Sequence, residues 1–326
     1  MARREITHIT DDLDRHPAVV AWRQVEPRAG RPTLIEVLKP ERHGSVVLRI
    51  SGVAASGRRV VAKRRPQALA GVELRLYTEL LPTLSVPRLE LFGFVPDGGY
   101  AWLFLEDAGD VWYTPELPEH AALAAEWLAG LHTGAAFAEW LPRTGVAYFR
   151  TQVEAARAGV RSGLDRDGML PSEVDVLRAI LAKLDRIEER WRDLEAAVTG
   201  VPETLVHGDF VPKNVRVRAT PFGPELISFD WETAGWATPA PDLALLPGNG
   251  SASGAYHERV AGSWPTVERA DIDRLRRVGT VLRLIHAVHW EARSFRYPWI
   301  ERAMRHMVAY DDHLDEALHD DAWLRA

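Results

Sequence analysis

Cysteine is absent from this chain of 326 residues. The absence excludes disulfides, thiolate zinc sites and a cysteine nucleophile, and it fits a reducing compartment. The chain also lacks any run of about 18 apolar residues, so the sequence predicts no membrane span. The first residues, Met1–His8, have no continuous apolar core, so we expect no secretory signal there. These absences favour a cytoplasmic protein without a membrane partner.

A surplus of basic residues is missing as well. The formal charge is −6, and acids and bases are interspersed, so nothing indicates a nucleic-acid partner. Apolar residues make up 46% of the chain and charged residues 26%, as in an ordinary globular protein. The length is enough for two domains. No feature of the sequence indicates an oligomeric state.

Two short apolar runs carry the most informative residues. The first segment starts with the apolar pair Leu205-Val206 and returns to apolar residues at Val215. Its sequence is Leu205-Val206-His207-Gly208-Asp209-Phe210-Val211-Pro212-Lys213-Asn214-Val215. Pro212 removes a backbone donor and disfavours helix at the residue before it, so this segment reads as a loop that leads into a strand. The second run, Leu226–Phe229, ends at Asp230. The chain therefore carries three polar residues in order: an acid and an amide in the loop, Asp209 and Asn214, and an acid at the end of the second run, Asp230.

This order of polar groups suits phosphoryl transfer. A kinase needs one carboxylate at the acceptor hydroxyl, and an Asn and a second Asp that hold Mg²⁺ on the phosphates. Each piece alone is also compatible with a plain turn, since Asp and Gly are common turn residues. A metal-dependent hydrolase that uses His207 with Asp209 and Asp230 is another interpretation. It needs further ligands nearby, and residues 200–245 contain no second histidine.

The pattern His-Gly-Asp-x-x-x-x-Asn, followed by an apolar strand and Asp, resembles the aminoglycoside phosphotransferase and choline kinase family. The resemblance implies an α+β, protein-kinase-like bilobal fold: a small antiparallel sheet with one main helix, then a larger helical lobe. It implies Asp209 as catalytic base, Asn214 and Asp230 as magnesium ligands, and His207 as a brace for the metal loop. Asp242 matches the family's structural Asp.

The N-terminal third carries candidate nucleotide-binding residues. Lys63 follows an apolar triplet in a strand predicted over Val60–Arg64, as does the lysine of the Val-Ala-Ile-Lys motif of kinases. Glu73, on a helix predicted over residues 67–81, is its expected partner, with Glu79 as the alternative. Gly44 and Ser45, between strands predicted at 34–38 and 46–50, can offer donors to phosphates, although no Gly-x-Gly-x-x-Gly is present. A plain hairpin turn and exposed charged side chains are the alternatives.

A buried strand, Tyr100–Asp107, resembles the strand that leads into the interlobe hinge. By that resemblance, the backbones of Leu105, Glu106 and Asp107 bind adenine. We therefore expect a nucleotide-binding lobe at residues 1–107, and a helical lobe with the catalytic loop, the metal site and the acceptor pocket at residues 108–326.

The second lobe is predicted to be helical. A long helix is expected over 173–198, and the Gly- and Arg-rich segment 155–171 is predicted to be a mobile connection. His132, in Leu128–His132, is expected to be a packed structural residue. In the family, C-terminal helices wall the acceptor pocket, and an acidic wall would suit a cationic acceptor. Most of these acids are equally compatible with a solvated surface. The candidate lining residues are Trp231, Glu232, Trp290, Glu291, Asp311, Asp312 and Asp315.

The sequence thus predicts a kinase that uses ATP or GTP with Mg²⁺ and phosphorylates a hydroxyl of a small molecule. A protein kinase is disfavoured, because Gly208 stands where that family has Arg and no Ala-Pro-Glu follows Asp230. An aminoglycoside or another antibiotic is one acceptor, and a choline-, sugar- or amino-acid-type metabolite is the alternative. A nucleotide-binding module without turnover also stays open.

Overall fold

The structure is a computed structural model that describes residues 6–42, 44–54, 57–247, 250–297 and 299–324. Residues 1–5, on which the expected absence of a secretory signal partly rests, lie outside the described residues. The chain has a mixed α/β fold built on a six-stranded antiparallel sheet. The strands are β1 Thr7–Ile9, β2 Leu34–Arg42, β3 Ser45–Ser51, β4 Val60–Pro66, β5 Leu91–Asp97, β6 Tyr100–Glu106, β7 Thr204–Val206, β8 Val215–Thr220, β9 Gly223–Ser228 and β10 Gly235–Ala237.

Helices make up most of the chain after the large sheet. They are α1 Pro17–Val25, α2 Gln67–Arg75, α3 Pro118–Gly134, α4 Val146–Leu164, α5 Pro171–Glu189, α6 Trp191–Val198, α7 Ala240–Leu243, α8 Ser251–Val260, α9 Arg269–Ala292 and α10 Glu301–Leu318. No helix in the described ranges is long and apolar enough to cross a membrane.

The described chain divides into two compact units. The first contains residues 1–113 and 212–232. Its large sheet has the order β1-β2-β3-β4-β6-β5, with every neighbouring pair antiparallel. Helix α1 packs on this sheet through Trp22, whose ring lies 5.3 Å from that of Phe104. Because alternate strand residues point to one face, Ile35 and Ile50 join the same buried cluster.

The hairpin of β8 and β9 also belongs to the first unit. Val215 pairs with Ser228 at its open end. Arg218, in the hairpin, contacts Glu106 of β6 at 2.9 Å and Glu225 of β9 at 2.6 Å. The guanidinium of Arg216 lies 3.8 Å from the centre of the Trp112 ring. These contacts join two segments of the unit that are about a hundred residues apart in the chain.

The helix predicted over residues 67–81 is regular only as far as Arg75. Residues Leu76–Leu80 form a π-helical turn, and a 3₁₀ turn, Leu81–Thr83, follows. Pro82 lies in that last turn and has no N–H to continue a helical ladder, so the helical segment ends there.

The second unit contains residues 114–211 and 233–326. Helix α9 is its central helix and packs against α4, α7 and α10. Gly279 allows the close approach of α9 to α7, because a Cβ at that position would lie 1.8 Å from the carbonyl oxygen of Ala240.

The prediction of a mobile connection over residues 155–171 is wrong in its first half, since α4 runs through Val146–Leu164. Its glycines lower helix propensity, but they lie where neighbours pack closely. A Cβ at Gly159 would be 2.7 Å from Cβ of Ala292, and one at Gly163 would be 2.9 Å from the Phe295 ring.

The helix predicted over 173–198 is two helices, α5 and α6, separated at Arg190.

Candidate active site

Lys63 lies at the centre of a buried charge cluster in the first unit. Its ammonium donates to Glu73 at 2.8 Å and also contacts the carboxylate of Asp230. Lys63 reaches these groups from β4, and Glu73, which is fully buried, reaches them from α2. Although burial lowers the pKa of Lys63, the two carboxylates more than offset this and hold it above the ordinary value. Lys63 is therefore charged at neutral pH.

Asp230 follows β9 with a left-handed backbone, φ 70°. Such a conformation is uncommon outside glycine, although Asp adopts it more readily than most residues. Burial opposes ionisation of Asp230, but Lys63 and then Arg65 hold its pKa well below the ordinary value. The carboxylate is consequently ionised and faces cations.

Arg65 is a second buried cation in the cluster. It lies two residues after Lys63 on β4, so both side chains leave the same face of the strand. Arg65 contacts Glu73 at 3.2 Å and also contacts Glu232. No sequence motif marks Arg65 as a site residue, although the strand period of two places it beside Lys63.

Two aromatic side chains close this cluster. The phenol of Tyr77 lies near Trp231, Glu73 and Asp230, and burial together with the two carboxylates raises its pKa well above the ordinary value. Trp231 is buried. Both side chains thus remove water from around the charged groups, which strengthens their interactions.

Asn214 lies at the same end of the β8–β9 hairpin as Asp230. Its carbonyl accepts from the N–H of Phe229 at 3.0 Å and from Ser228 Oγ at 3.3 Å. The hairpin therefore brings a side-chain amide and a carboxylate to one end. Hard oxygen donors of this kind fit Mg²⁺, which is usually held by one or two protein groups and by phosphate. Among the described residues, no cluster of three or more His, Asp or Glu has metal-binding geometry.

The predicted phosphate turn is a tight hairpin between β2 and β3. Gly44 has φ 75°, and a Cβ there would lie 2.3 Å from the Tyr100 ring. Its carbonyl accepts from Arg64 Nη1 at 2.9 Å. Ser45 pairs with residue 42 across the hairpin. The positive φ angle and the close Tyr100 ring both require glycine at this position, independently of any ligand at the turn.

The predicted hinge residues end β6. Leu105 is buried between Val61 and Leu91 in neighbouring strands. The N–H of Glu106 donates to the carbonyl of Glu90 at 2.9 Å. The carboxylate of Asp107 contacts Arg49 at 3.1 Å and Arg59 at 2.7 Å. Both acidic side chains of this segment are therefore held by ion pairs, Asp107 by Arg49 and Arg59 and Glu106 by Arg218.

In the second unit, Asp242 organises the turn that contains His207. The N–H groups of His207 and Gly208 donate to its two carboxylate oxygens at 2.7 and 2.9 Å. Nε2 of His132 lies 3.2 Å from the same carboxylate, and Nδ1 of His132 lies 2.9 Å from the Tyr256 hydroxyl. Burial opposes ionisation of Asp242, but these hydrogen bonds lower its pKa. A buried anion thus fixes the backbone that precedes Asp209.

Gly208 adopts φ 77°, and a Cβ there would lie 2.3 Å from the carbonyl oxygen of Thr233. The following N–H, of Asp209, donates to Nδ1 of His207 at 3.3 Å. Arg283 of α9 donates to the carbonyl of Phe210 at 3.2 Å. The Asp209 segment is therefore held on both sides.

The predicted acceptor residues fall in both units, with Trp231 and Glu232 in the first and the rest in the second. Trp290 is 58% exposed. Glu291 contacts His306 at 2.7 Å. Lys183 contacts Asp311 at 2.5 Å and Asp315 at 2.8 Å, and Asp312 is exposed.

A model of the phosphotransferase enzyme family matches residues 37–254, about two thirds of the chain. The chain belongs to this family. The matched range contains Lys63, Glu73, Asp209, Asn214 and Asp230. No curated protein matches the chain.

Solved structures of other phosphotransferases share the fold. An aminoglycoside phosphotransferase from Alicyclobacillus acidocaldarius has 19% identity and a TM-score of 0.55, covering 86% of this chain and 89% of its own. A spectinomycin phosphotransferase in complex with ADP and spectinomycin has 10% identity and a TM-score of 0.62, covering 88% and 93%. An ethanolamine kinase from Plasmodium vivax has 12% identity and a TM-score of 0.55, covering 87% and 82%. The predicted kinase-like fold is thus confirmed.

Proposed function

We propose that this phosphotransferase transfers the γ-phosphoryl group of ATP, or of GTP, to a hydroxyl of a small molecule. The observation that carries the proposal is the buried cluster of Lys63, Glu73 and Asp230, in a chain of the phosphotransferase enzyme family. A kinase needs such a lysine, oriented by a glutamate, beside an acid that holds metal. A nucleotide-bound neighbour of the same fold, the spectinomycin phosphotransferase with ADP, supports nucleotide binding.

Each residue has a defined task in this proposal. Lys63, oriented by Glu73, binds the phosphates of the nucleotide. Asp209 accepts the proton of the acceptor hydroxyl and orients its oxygen. Asn214 and Asp230 would hold Mg²⁺, which would supply positive charge to the phosphates. Most of the rate comes from positioning, and the hydrogen bonds to Asp242 hold the backbone that precedes Asp209.

The remaining assignments follow from those tasks. His207 braces the loop, and residues 105–107 contact the base through their backbone. Gly44 and Ser45 lie over the phosphates. Residues 1–107 then act as the nucleotide-binding lobe, and residues 108–326 as the lobe that binds the acceptor. The reaction belongs in the cytoplasm, where ATP is available.

Two acceptor groups are compatible with the family: antibiotics such as aminoglycosides, and metabolites of the choline, sugar or amino-acid type. The names of the fold neighbours cover both, since they include an aminoglycoside phosphotransferase and an ethanolamine kinase. A module that binds nucleotide without turnover is the alternative function.

The test is release of ADP from ATP and Mg²⁺ in the presence of a panel of hydroxyl compounds. Asp209→Asn is expected to lower turnover about 100- to 10,000-fold, the usual effect of losing a general base, while the Kd for nucleotide stays unchanged. Asp175→Asn, at an exposed position on α5, is the matched control and is expected to keep full activity. Nucleotide binding without ADP release from any acceptor would favour the non-catalytic alternative.

A further inference from the structure

The helix α9 brings a cation beside the proposed catalytic base. Arg283 donates through Nη1 to the carbonyl of Phe210, the residue after Asp209, at 3.2 Å. Asp209 is also the largest favourable charge partner of Arg283, although burial outweighs it and lowers the pKa of the guanidinium. Within the described ranges, Arg283 makes no ion pair. The guanidinium therefore keeps donors for another acceptor group.

Three further residues continue the same face of α9. His286 and Trp290 follow Arg283 on α9 at spacings of 3 and 7 residues, and Arg293, the first residue after α9, follows at a spacing of 10 with a helical backbone. All four side chains therefore leave one side of the helix. The rings of His286 and Trp290 are stacked, with centroids 6.4 Å apart and 20° between their planes. The guanidinium of Arg293 lies 4.6 Å from the centre of the Trp290 ring. We name this row of four residues the α9 stripe.

Several acids on α9 and α10 have side-chain partners of their own. Glu291 contacts His306, while Asp311 and Asp315 both contact Lys183. An acid that already has a cationic partner attracts a second cation weakly. Arginine stays charged at neutral pH, so the charge carried by the α9 stripe itself is positive.

We propose that the α9 stripe binds the acceptor, and that the acceptor carries an anionic group and a flat ring. Arg283 binds the anionic group, and the exposed part of the Trp290 side chain, which is more than half of it, contacts the ring. A bidentate arginine contact with a carboxylate is geometrically specific, so Arg283 would also orient the hydroxyl toward Asp209. This inference rests on the proposed phosphotransferase function, and it disfavours a polycationic acceptor.

Three probes that differ only in charge test the proposal. They are 4-(hydroxymethyl)benzoate, benzyl alcohol and 4-(hydroxymethyl)benzylamine, which share a ring and a primary hydroxyl. Binding is measured by calorimetry in the presence of Mg²⁺ and a non-hydrolysable ATP analogue, and turnover by ADP release. We expect the anion to bind at least about tenfold more tightly than the amine, the scale of one charge-assisted hydrogen bond.

Arg283→Met and Arg283→Lys separate charge recognition from structure. The methionine variant is expected to lose the preference for the anion, and the lysine variant to keep most of it. An equal loss for all three probes would mean that Arg283 only supports the Phe210 carbonyl, and it would overturn the proposal. Tighter binding of the amine, or no binding of the anion, would overturn it as well. The binding arm does not depend on turnover, so a failure of the phosphotransferase function itself would be seen separately, as absence of nucleotide binding.

Discussion

Lys63 and Asp230 form a direct ion pair although 167 residues separate them in the chain. The pair joins β4 of the large sheet to the end of the β8–β9 hairpin, and Glu73 shares the same ammonium. Lys63 and Arg65 together thus balance the charges of two carboxylates that burial would otherwise penalise. In the proposed reaction, the same lysine has to bind phosphate.

Removal of this ammonium is expected to weaken nucleotide binding. Lys63→Met removes one of the two cations, Lys63 and Arg65, that Glu73 and Asp230 share, so we expect the Kd for Mg·ATP to rise about tenfold to hundredfold, as for a lost hydrogen bond between charged groups. Calorimetric titration of the wild type and the variant with Mg·ATP measures this change in Kd. Lys183→Met is the matched control, because Lys183 also contacts two carboxylates, Asp311 and Asp315. Equal effects of the two substitutions would contradict the role of Lys63.

Free magnesium is expected to bind poorly without nucleotide. Asp230 is held by Lys63 and Arg65, so a metal ion has to displace a cation unless phosphate draws Lys63 away. We expect millimolar Mg²⁺ alone to leave the melting temperature unchanged, and Mg²⁺ with ATP to raise it, because only a ligand that binds the folded state stabilises it. Lys63→Met should let free Mg²⁺ bind more tightly. Stabilisation of the wild-type chain by free Mg²⁺ would count against this ion-pair argument.

Loss of the charge on Asp242 is expected to destabilise the second unit. Asp242→Asn removes the charge and leaves one of the N–H groups of His207 and Gly208 facing an amide NH2 instead of an acceptor, at a cost of about 3 kcal/mol in the free energy of unfolding. Urea unfolding measures the loss.

The same substitution has an expected pH dependence. Because the folded pKa of Asp242 lies below its ordinary value, its contribution is present above the unfolded pKa of about 3.9 and is lost as pH falls below it. The difference in unfolding free energy between wild type and variant should therefore be largest at neutral pH and shrink on acidification. A difference that grows at low pH would contradict the assignment of a charged Asp242.

Gly208→Ala is expected to cost more than the same change at another left-handed glycine. Gly168 has φ 82° with open space around a Cβ, whereas Gly208 has φ 77° with the Thr233 carbonyl 2.3 Å from it. We expect Gly168→Ala to cost about 1–2 kcal/mol from backbone strain, and Gly208→Ala about 2 kcal/mol more from overpacking. Chemical denaturation measures both, and equal losses would show that Thr233 moves aside freely.

The sequence predicted the parts of the fold that local patterns determine. Strand runs such as Val60–Arg64 and the apolar run before Asp230 are short and β-rich, and Pro212 marks the loop that leads into the strand at Val215. The strands are confirmed, as is the kinase-like fold. The roles of the site residues stay predictions that the experiments above address.

Long-range packing could not be predicted in this way. Gly159 and Gly163 weaken a helix locally, so the sequence indicated a connection, but they are needed where α4 meets Ala292 and Phe295. Arg283 carries no local motif, and only the fold brings it to Phe210. The two-residue strand period predicts that Arg65 lies on the same strand face as Lys63. It does not predict the partner Glu232, because the two residues are 167 positions apart in the chain.

Residues 212–232 belong to the same compact unit as residues 1–113, although 98 residues of the other unit separate them in the chain. A chimera that exchanges the sheet unit with a relative would therefore need two separate gene segments. If only residues 1–113 came from the relative, Arg218 would face a foreign residue in place of Glu106, and Asp230 would lose its native partner Lys63. Fragment complementation or domain grafting should place three junctions, near residues 113, 212 and 232, rather than a single cut.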